Sequence, residues 1–168
     1  LGNPASLTGD YDQARKLYQQ SLEINKELGD KSGVSRSLHN LGALAQDTGD
    51  YDQARKLYQQ SLEINKELGD KSGVSKSLHQ LGRLAQATGD YDQARKLYQQ
   101  SLEIKQELGD KNGVAFSLAQ LALMEEKLGR IETAVELTAK AESIFNEINN
   151  PFLAERARNQ RKRLESLL

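Results

Sequence analysis

Two sets of residues in this sequence have the types and spacing to do chemistry. His39 and His79 stand 40 residues apart, and aspartate pairs recur at Asp10/Asp12, Asp50/Asp52 and Asp90/Asp92. A metal would need both imidazoles about 2 Å away and usually further ligands. Histidines on neighbouring packed helices lie about 10 Å apart. Hydrogen bonding is therefore the better use of these two rings, and no metal site is expected. The aspartate pairs resemble general acid–base couples. Each, however, opens a helical pattern, where a carboxylate caps backbone N–H groups and meets the positive end of the helix dipole. The chain has no cysteine, which excludes thiol catalysis, disulfides and Cys-ligated zinc. It also lacks a Gly-rich phosphate loop, a nucleophile elbow and a nucleotide signature. No catalytic residue and no cofactor is expected.

The elements that must position these residues follow from composition and periodicity. At 168 residues the chain suits one domain or a short repeat array. Leu, Ala, Gln, Glu and Lys dominate and aromatics are scarce, a helical composition. A net charge of −1 argues against a general nucleic-acid or membrane-surface binder, which needs a net basic field. No apolar run is long enough to span a membrane, and no signal-peptide pattern is present. A cytoplasmic location is the expectation. The chain opens on Leu1 rather than Met, as an excised fragment of something larger would.

Thr8–Ser35 recurs unchanged at Thr48–Ser75, and Thr48–Ile64 recurs at Thr88–Ile104, a period of 40 residues. A diverged copy runs from about Asn112 to Ile148. Within one copy Val34, Leu38, Leu41 and Ala45 mark one face of a helix A. Gly49-Asp50 breaks the pattern, with Asp50 as cap and Gln53 at the capping-box position. Ala54, Leu57, Tyr58, Ser61, Leu62 and Leu68 then mark a helix B, which Gly69 ends. Neither helix can bury its stripe alone, so successive pairs must stack.

On these residues the chain resembles the tetratricopeptide repeat family. Leu38, Leu41-Gly42, Ala45, Ala54 and Tyr58 match its motif. So do Leu78, Leu81-Gly82, Ala85, Ala94 and Tyr98. The last copy has Leu118, Leu121-Ala122, Ala134 and Thr138 in the place of the aromatic. The glycines let helix A approach helix B, and the tyrosines fill the space between pairs. Two departures stand out: the unit is longer than the usual ~34 residues, and Lys66 replaces the proline that normally ends helix B. Longer units of this kind are similar to those of kinesin light chains, Leu-Gly-Asn-repeat adaptors and bacterial sensor-regulators. The resemblance implies an all-α, right-handed superhelical solenoid of antiparallel helix pairs with protein or peptide partners.

The expected organisation is a single repeat domain over residues 1–168. It comprises a partial first unit at 1–30, units at about 31–70, 71–110 and 111–149, and a capping helix at about 151–167. Leu1-Gly2-Asn3 aligns with Leu41-Gly42-Ala43, so Pro4 should interrupt the first helix A. Helix B of that unit, Asp10–Leu28, should then lack its partner, and head-to-tail self-association through the uncovered side is a further expectation. Pro151 suits the first turn of the last helix. There Arg158 and Arg161 replace Leu118 and Leu121, as a solvated outer face would require.

Between Asp30–Asp50 and Asp70–Asp90 only four positions differ: Arg36/Lys76, Asn40/Gln80, Ala43/Arg83 and Asp47/Ala87. Their spacing of four, three and four places them on one narrow face of helix A. In the resembled family this face lines the concave groove, so it is the expected ligand surface, unless it varies only because it is the least packed face. Asn40, Gln80, Gln120 and Gln160 fall in register on it. Stacked, they would form an amide ladder able to pair with a peptide backbone, unless glutamine serves here as a soluble helix former. Arg36, Lys76, Arg83, Lys127, Arg156 and Arg163 outnumber Asp47 and Glu126, which points to an acidic ligand. Phe116 and Leu123 offer an apolar anchor, and His39 and His79 offer hydrogen bonds. The two-carboxylate clamp of chaperone-binding arrays is not matched at His39, Ala43 or Phe116.

The leading expectation is a scaffold that binds a peptide segment in its groove, without specific nucleic-acid or membrane contacts. Two alternatives stand beside it. One is a sensor array of a larger bacterial signalling protein. The other is a structural or engineered array with no ligand.

Overall fold

The computed structural model describes the backbone of residues 4–168 and the side chains of residues 10–168. Eight helices account for nearly all of these residues: α1 (Pro4–Glu27), α2 (Lys31–Asp47), α3 (Tyr51–Glu67), α4 (Lys71–Ala87), α5 (Tyr91–Glu107), α6 (Lys111–Lys127), α7 (Ile131–Glu147) and α8 (Pro151–Glu165). From α2 to α7 each helix has 17 residues.

The junctions explain this regularity. Gly49 takes φ +82°, the left-handed value that stops α2. Its N–H donates to the Gln46 carbonyl, and the Asp50 N–H donates to the Ala45 carbonyl at 2.8 Å. This pair of bonds is the Schellman closure. The Asp50 carboxylate then accepts from the Gln53 N–H at 3.1 Å and caps α3. One aspartate thus closes a helix with its backbone and opens the next with its side chain. The reciprocal half of the expected capping box does not form, because Ala45 already takes the Asp50 N–H. Asp30, Asp90 and Asp110 repeat the arrangement.

The packing divides into two compact units, which meet in sequence at Leu84–Ala85 within α4. In the first, α1 packs on α2 and α2 on α3. The contact that sets the α2–α3 distance is Gly42 against Tyr58. A Cβ at residue 42 would lie 2.9 Å from the Tyr58 ring, and Tyr58 is fully buried. The tyrosine thus packs within its own pair, and Tyr98 also packs against Leu121 and Met124 of the next pair. In the second unit α5 packs on α6, α6 on α7 and α7 on α8. Ala85, Ala94, Tyr98, Leu121 and Met124 form one core there; Val114, Ala115, Leu118, Ala141, Phe145, Ala154 and Ala157 form another.

The first unit corrects the sequence reading. Pro4 does not interrupt a helix A; it begins α1, which runs unbroken through Gly9-Asp10 to Glu27. Proline is tolerated in a first turn, where its missing N–H has no partner to lose. Thr8-Gly9-Asp10 repeats Thr48-Gly49-Asp50 letter for letter, yet only the second turns. Among the described residues no helix is long and apolar enough to cross a membrane.

Candidate functional site

In the first unit the A-helix face carries a polar cleft of about 480 Å³ between α2 and α4. Arg36 and His39 of α2 face Lys76 of α4 across it, and Ser61 and Asn65 of α3 form its floor. The floor is a closed hydrogen-bond set. Ser35 Oγ donates to Asn65 Oδ1 at 2.7 Å and meets Ser61 Oγ at 2.9 Å, while Asn65 Nδ2 donates to Ser77 Oγ at 3.5 Å. Gly73 makes room for the amide, since a Cβ there would sit 2.6 Å from it. Burial such as that of Asn65 and Ser35 requires this pairing.

The rim is basic. Arg36 and Lys76 are exposed, and neither makes an ion pair among the described residues. The half-buried His39 ring lies 5.3 Å from the Tyr58 ring. Burial, and then the charge of Lys76, hold its pKa below the ordinary histidine value, so it is neutral at pH 7. Burial also pushes the Tyr58 phenol up to about 12, and its hydroxyl donates to Gln46 Oε1 at 3.2 Å. Asn40 and Asp47 are exposed and Ala43 is half-buried on the same helix. On α4, Gln80 Oε1 accepts from Arg83 Nη1 at 3.2 Å, and His79 is half-buried.

The second unit treats its expected site residues differently. Gln120 Nε2 donates to Gln86 Oε1 at 3.1 Å, and the same oxygen accepts from the Tyr98 hydroxyl at 2.8 Å. Gln120 is therefore tied inward rather than offered on a ladder. Gln160 Nε2 is buried without a hydrogen-bond partner. Phe116 packs edge-on against Phe145 at 5.5 Å while half its surface stays exposed, as does half of Leu123. The basic residues are largely engaged: Lys127 lies over the Tyr91 ring at 5.8 Å and Arg156 over Phe152 at 5.9 Å. Arg163 pairs with Glu126 at 2.7 Å. Of these three only Arg163 is paired with a carboxylate; Lys127 and Arg156 keep their charge over aromatic rings.

A tetratricopeptide repeat model matches residues 2–67 and 73–147. The chain belongs to the tetratricopeptide repeat family. No curated protein matches it. Among solved structures, BtubC (BKLC) from P. vanneervenii is 19% identical, with TM-score 0.75, and the match covers 96% of this chain and 76% of that one. The nearly identical repeats of a putative kinesin light chain from Podosopora anserina are 22% identical, with TM-score 0.71, over 96% of this chain and 85% of theirs. A signal transduction ATPase with a tetratricopeptide repeat sensor from Pyrococcus horikoshii is 23% identical, with TM-score 0.77, over 89% of this chain but 23% of that protein. At such identities the likeness shows the fold, a solenoid of helix pairs.

The tetratricopeptide match ends at Glu147, one helix before the end, and α8 departs from the family pattern in a telling way. Arg158 and Arg161 are not simply a solvated face. Arg158 Nε and Arg161 Nε both donate to the Glu142 carboxylate of α7, at 2.8 and 3.0 Å. Burial works to raise the Glu142 pKa, but the hydrogen bonds and charges of the two arginines outweigh it and hold the carboxyl below its usual range. Sequence reasoning missed this carboxylate, and also missed Gln46, Gln86 and Asn65. For Gln46, Gln86 and Asn65 the signal was available: Gln46 and Gln86, and Asn25 and Asn65, recur at the 40-residue period, whereas Glu142 replaces the leucine of Leu22, Leu62 and Leu102 and carries no such signal.

Proposed function

We propose that this tetratricopeptide repeat chain is a protein-interaction module that takes an acidic peptide segment on its A-helix face. The observation that carries the reading is the cleft between α2 and α4. It sets Arg36 and Lys76 over a satisfied polar floor with no carboxylate paired to either. A peptide carboxylate seated there would gain two charge-assisted hydrogen bonds. Neutral His39 beside it supplies a donor. Phe116 and Leu123, exposed on α6, support an apolar contact as a separate feature of the second unit. The proposed contact residues are those of the sequence reading that stay accessible, with Arg36, His39 and Lys76 foremost.

Selection from a random peptide library should enrich acidic sequences. Arg36→Ala and Lys76→Ala should each weaken the selected binders about tenfold or more, since a charge-assisted bond is worth about 1.5–3 kcal/mol. Added salt should weaken them further. Bound carboxylate should also raise the His39 pKa, an upward shift that an NMR titration would detect. Selected peptides that lack acidic residues, or a His39 titration unmoved by saturating peptide, would sink the proposal.

A second reading is a regulatory array, favoured by the likeness to the sensor part of the Pyrococcus ATPase. It shares the same cleft. A bound acidic peptide that changes the activity of a fused effector would favour it.

A further inference from the structure

The internal repeat supplies its own control for the N-terminal helix. Residues 10–28 of α1 are identical to residues 50–68 around α3, but their surroundings differ. In α3, Ala54 and Tyr58 are fully buried beneath α2. Gly42 lies against the Tyr58 ring and Gln46 accepts from its hydroxyl. In α5, Ala94 and Tyr98 are fully buried in the same way, with Ala85 and Gln86 as their neighbours. In α1 the matching Ala14 and Tyr18 are only half-buried. Leu17 is 57% exposed where Leu57 is 8% exposed. Ile24 is also exposed, where Ile64 is half-buried.

We infer that the open face of α1, centred on Ala14, Leu17 and Tyr18, docks an incoming amphipathic helix of the A type. Such a helix carries Leu-x-x-Leu-Gly-x-x-Ala-Gln, the pattern of Leu38, Leu41, Gly42, Ala45 and Gln46. The occupant follows from identity: the same surface in α3 is sealed by that pattern, and in α5 its Ala-Gln end, Ala85 and Gln86, meets Ala94 and Tyr98. Glycine admits the tyrosine ring, the leucines and alanine bury the apolar stripe, and glutamine receives the hydroxyl. Burying this stripe removes apolar area from water, the main driving force for such docking.

A second copy of the chain fits less well. Its terminal helix α8 has Arg158, Arg161, Lys162 and Glu165 at the positions of Leu38, Leu41, Gly42 and Ala45. A lysine would meet the Tyr18 ring, and arginines already bound to Glu142 would meet Leu17. Desolvating such charges without partners is costly. The partner is therefore a helix of another protein segment rather than the far end of a second copy.

The test uses the whole chain and a fluorescent synthetic peptide with the sequence of residues 31–48. Saturable one-to-one binding is expected, with amide shifts confined to α1 and none in α2 or α3. The same peptide with Gly42→Leu should bind at least about tenfold more weakly, because the side chain collides with the ring. In the protein, Leu17→Arg should abolish binding while leaving the helical spectrum unchanged, since Leu17 is exposed in the free chain. Tyr18→Phe should weaken binding modestly through loss of the hydroxyl's partner. Three results would overturn the inference. One is no binding; another is binding that ignores Gly42→Leu or Leu17→Arg, which means adhesion or displacement of α2. The third is tighter binding by a peptide of residues 151–165, which would make a second copy the occupant.

Discussion

Gly42 and Gly49 are both glycine for different reasons, and substitution separates them. At Gly42 the backbone is ordinary helix, and the constraint is the Tyr58 ring, 2.9 Å from where a methyl group would stand. Gly42→Ala forces the α2–α3 pair apart and should cost about 1–3 kcal/mol in urea unfolding. Gly49 faces open space but has φ +82°. Gly49→Ala should cost only the backbone strain, about 1 kcal/mol. The buried polar floor gives a second residue-level test. Ser35→Ala removes the donor to Asn65 Oδ1 and should cost about 1–3 kcal/mol, the penalty of an orphaned buried acceptor. The chain supplies a natural contrast. Ala115 stands in the place of Ser35, but Phe145 has replaced the asparagine, so both polar partners are gone together. Sequence periodicity exposed Arg36, His39 and Lys76 as one surface, because face membership depends only on spacing. It could not show which arginines were free, because Glu126 and Glu142 lie 37 and 16 residues from the arginines they engage.

Helix ends are where local sequence both succeeds and fails. The Gly-Asp junctions were legible because each carries its own hydrogen bonds: a left-handed glycine and a capping carboxylate need no distant help. Asp50→Ala should remove the bond to the Gln53 N–H and cost about 0.5–2 kcal/mol. The Schellman bonds use backbone atoms, so α2 should still end at the same residue, and amide exchange at Gly49 and at residue 50 should stay slow. Arg130 shows the cost being accepted for another gain. It occupies the N-cap position of α7 with no side-chain cap bond, and instead reaches the buried Glu125 carboxylate at 3.3 Å. The first helix is the failure. Thr8-Gly9-Asp10 carries the same signal as Thr48-Gly49-Asp50, yet α1 runs through it. A turn folds back only when the preceding helix has an apolar stripe to bury against the next. The residues before Gly9 keep Leu1, Gly2 and Ala5 of the helix A pattern but have Pro4 in the place of Leu44; the fold-back belongs to tertiary packing and not to the turn.

At the scale of the whole molecule, the two terminal helices are built on opposite plans. In a repeat array each element is stabilised by its neighbours alone, so the ends hold least. At one end α1 leaves apolar residues exposed; at the other α8 is held by arginines on Glu142. Only α8 should therefore respond to pH through this carboxylate. Amide exchange at neutral pH should be faster in α1 than in α8. The Glu142 pKa lies below its ordinary value in the folded chain, so the unfolded state binds the proton more readily. Its contribution to stability is then fully present above the ordinary carboxylate range, and it is lost as pH falls through the lowered folded value. On acidification α8 should open progressively, while α1, whose exposed face is apolar, should change little through this group. Glu142→Gln should speed α8 exchange at neutral pH, because Arg158 and Arg161 lose their counter-charge, and should flatten the acid dependence there. Exchange in α8 that is equally acid-sensitive in the Glu142→Gln chain would place the responsible carboxylate elsewhere.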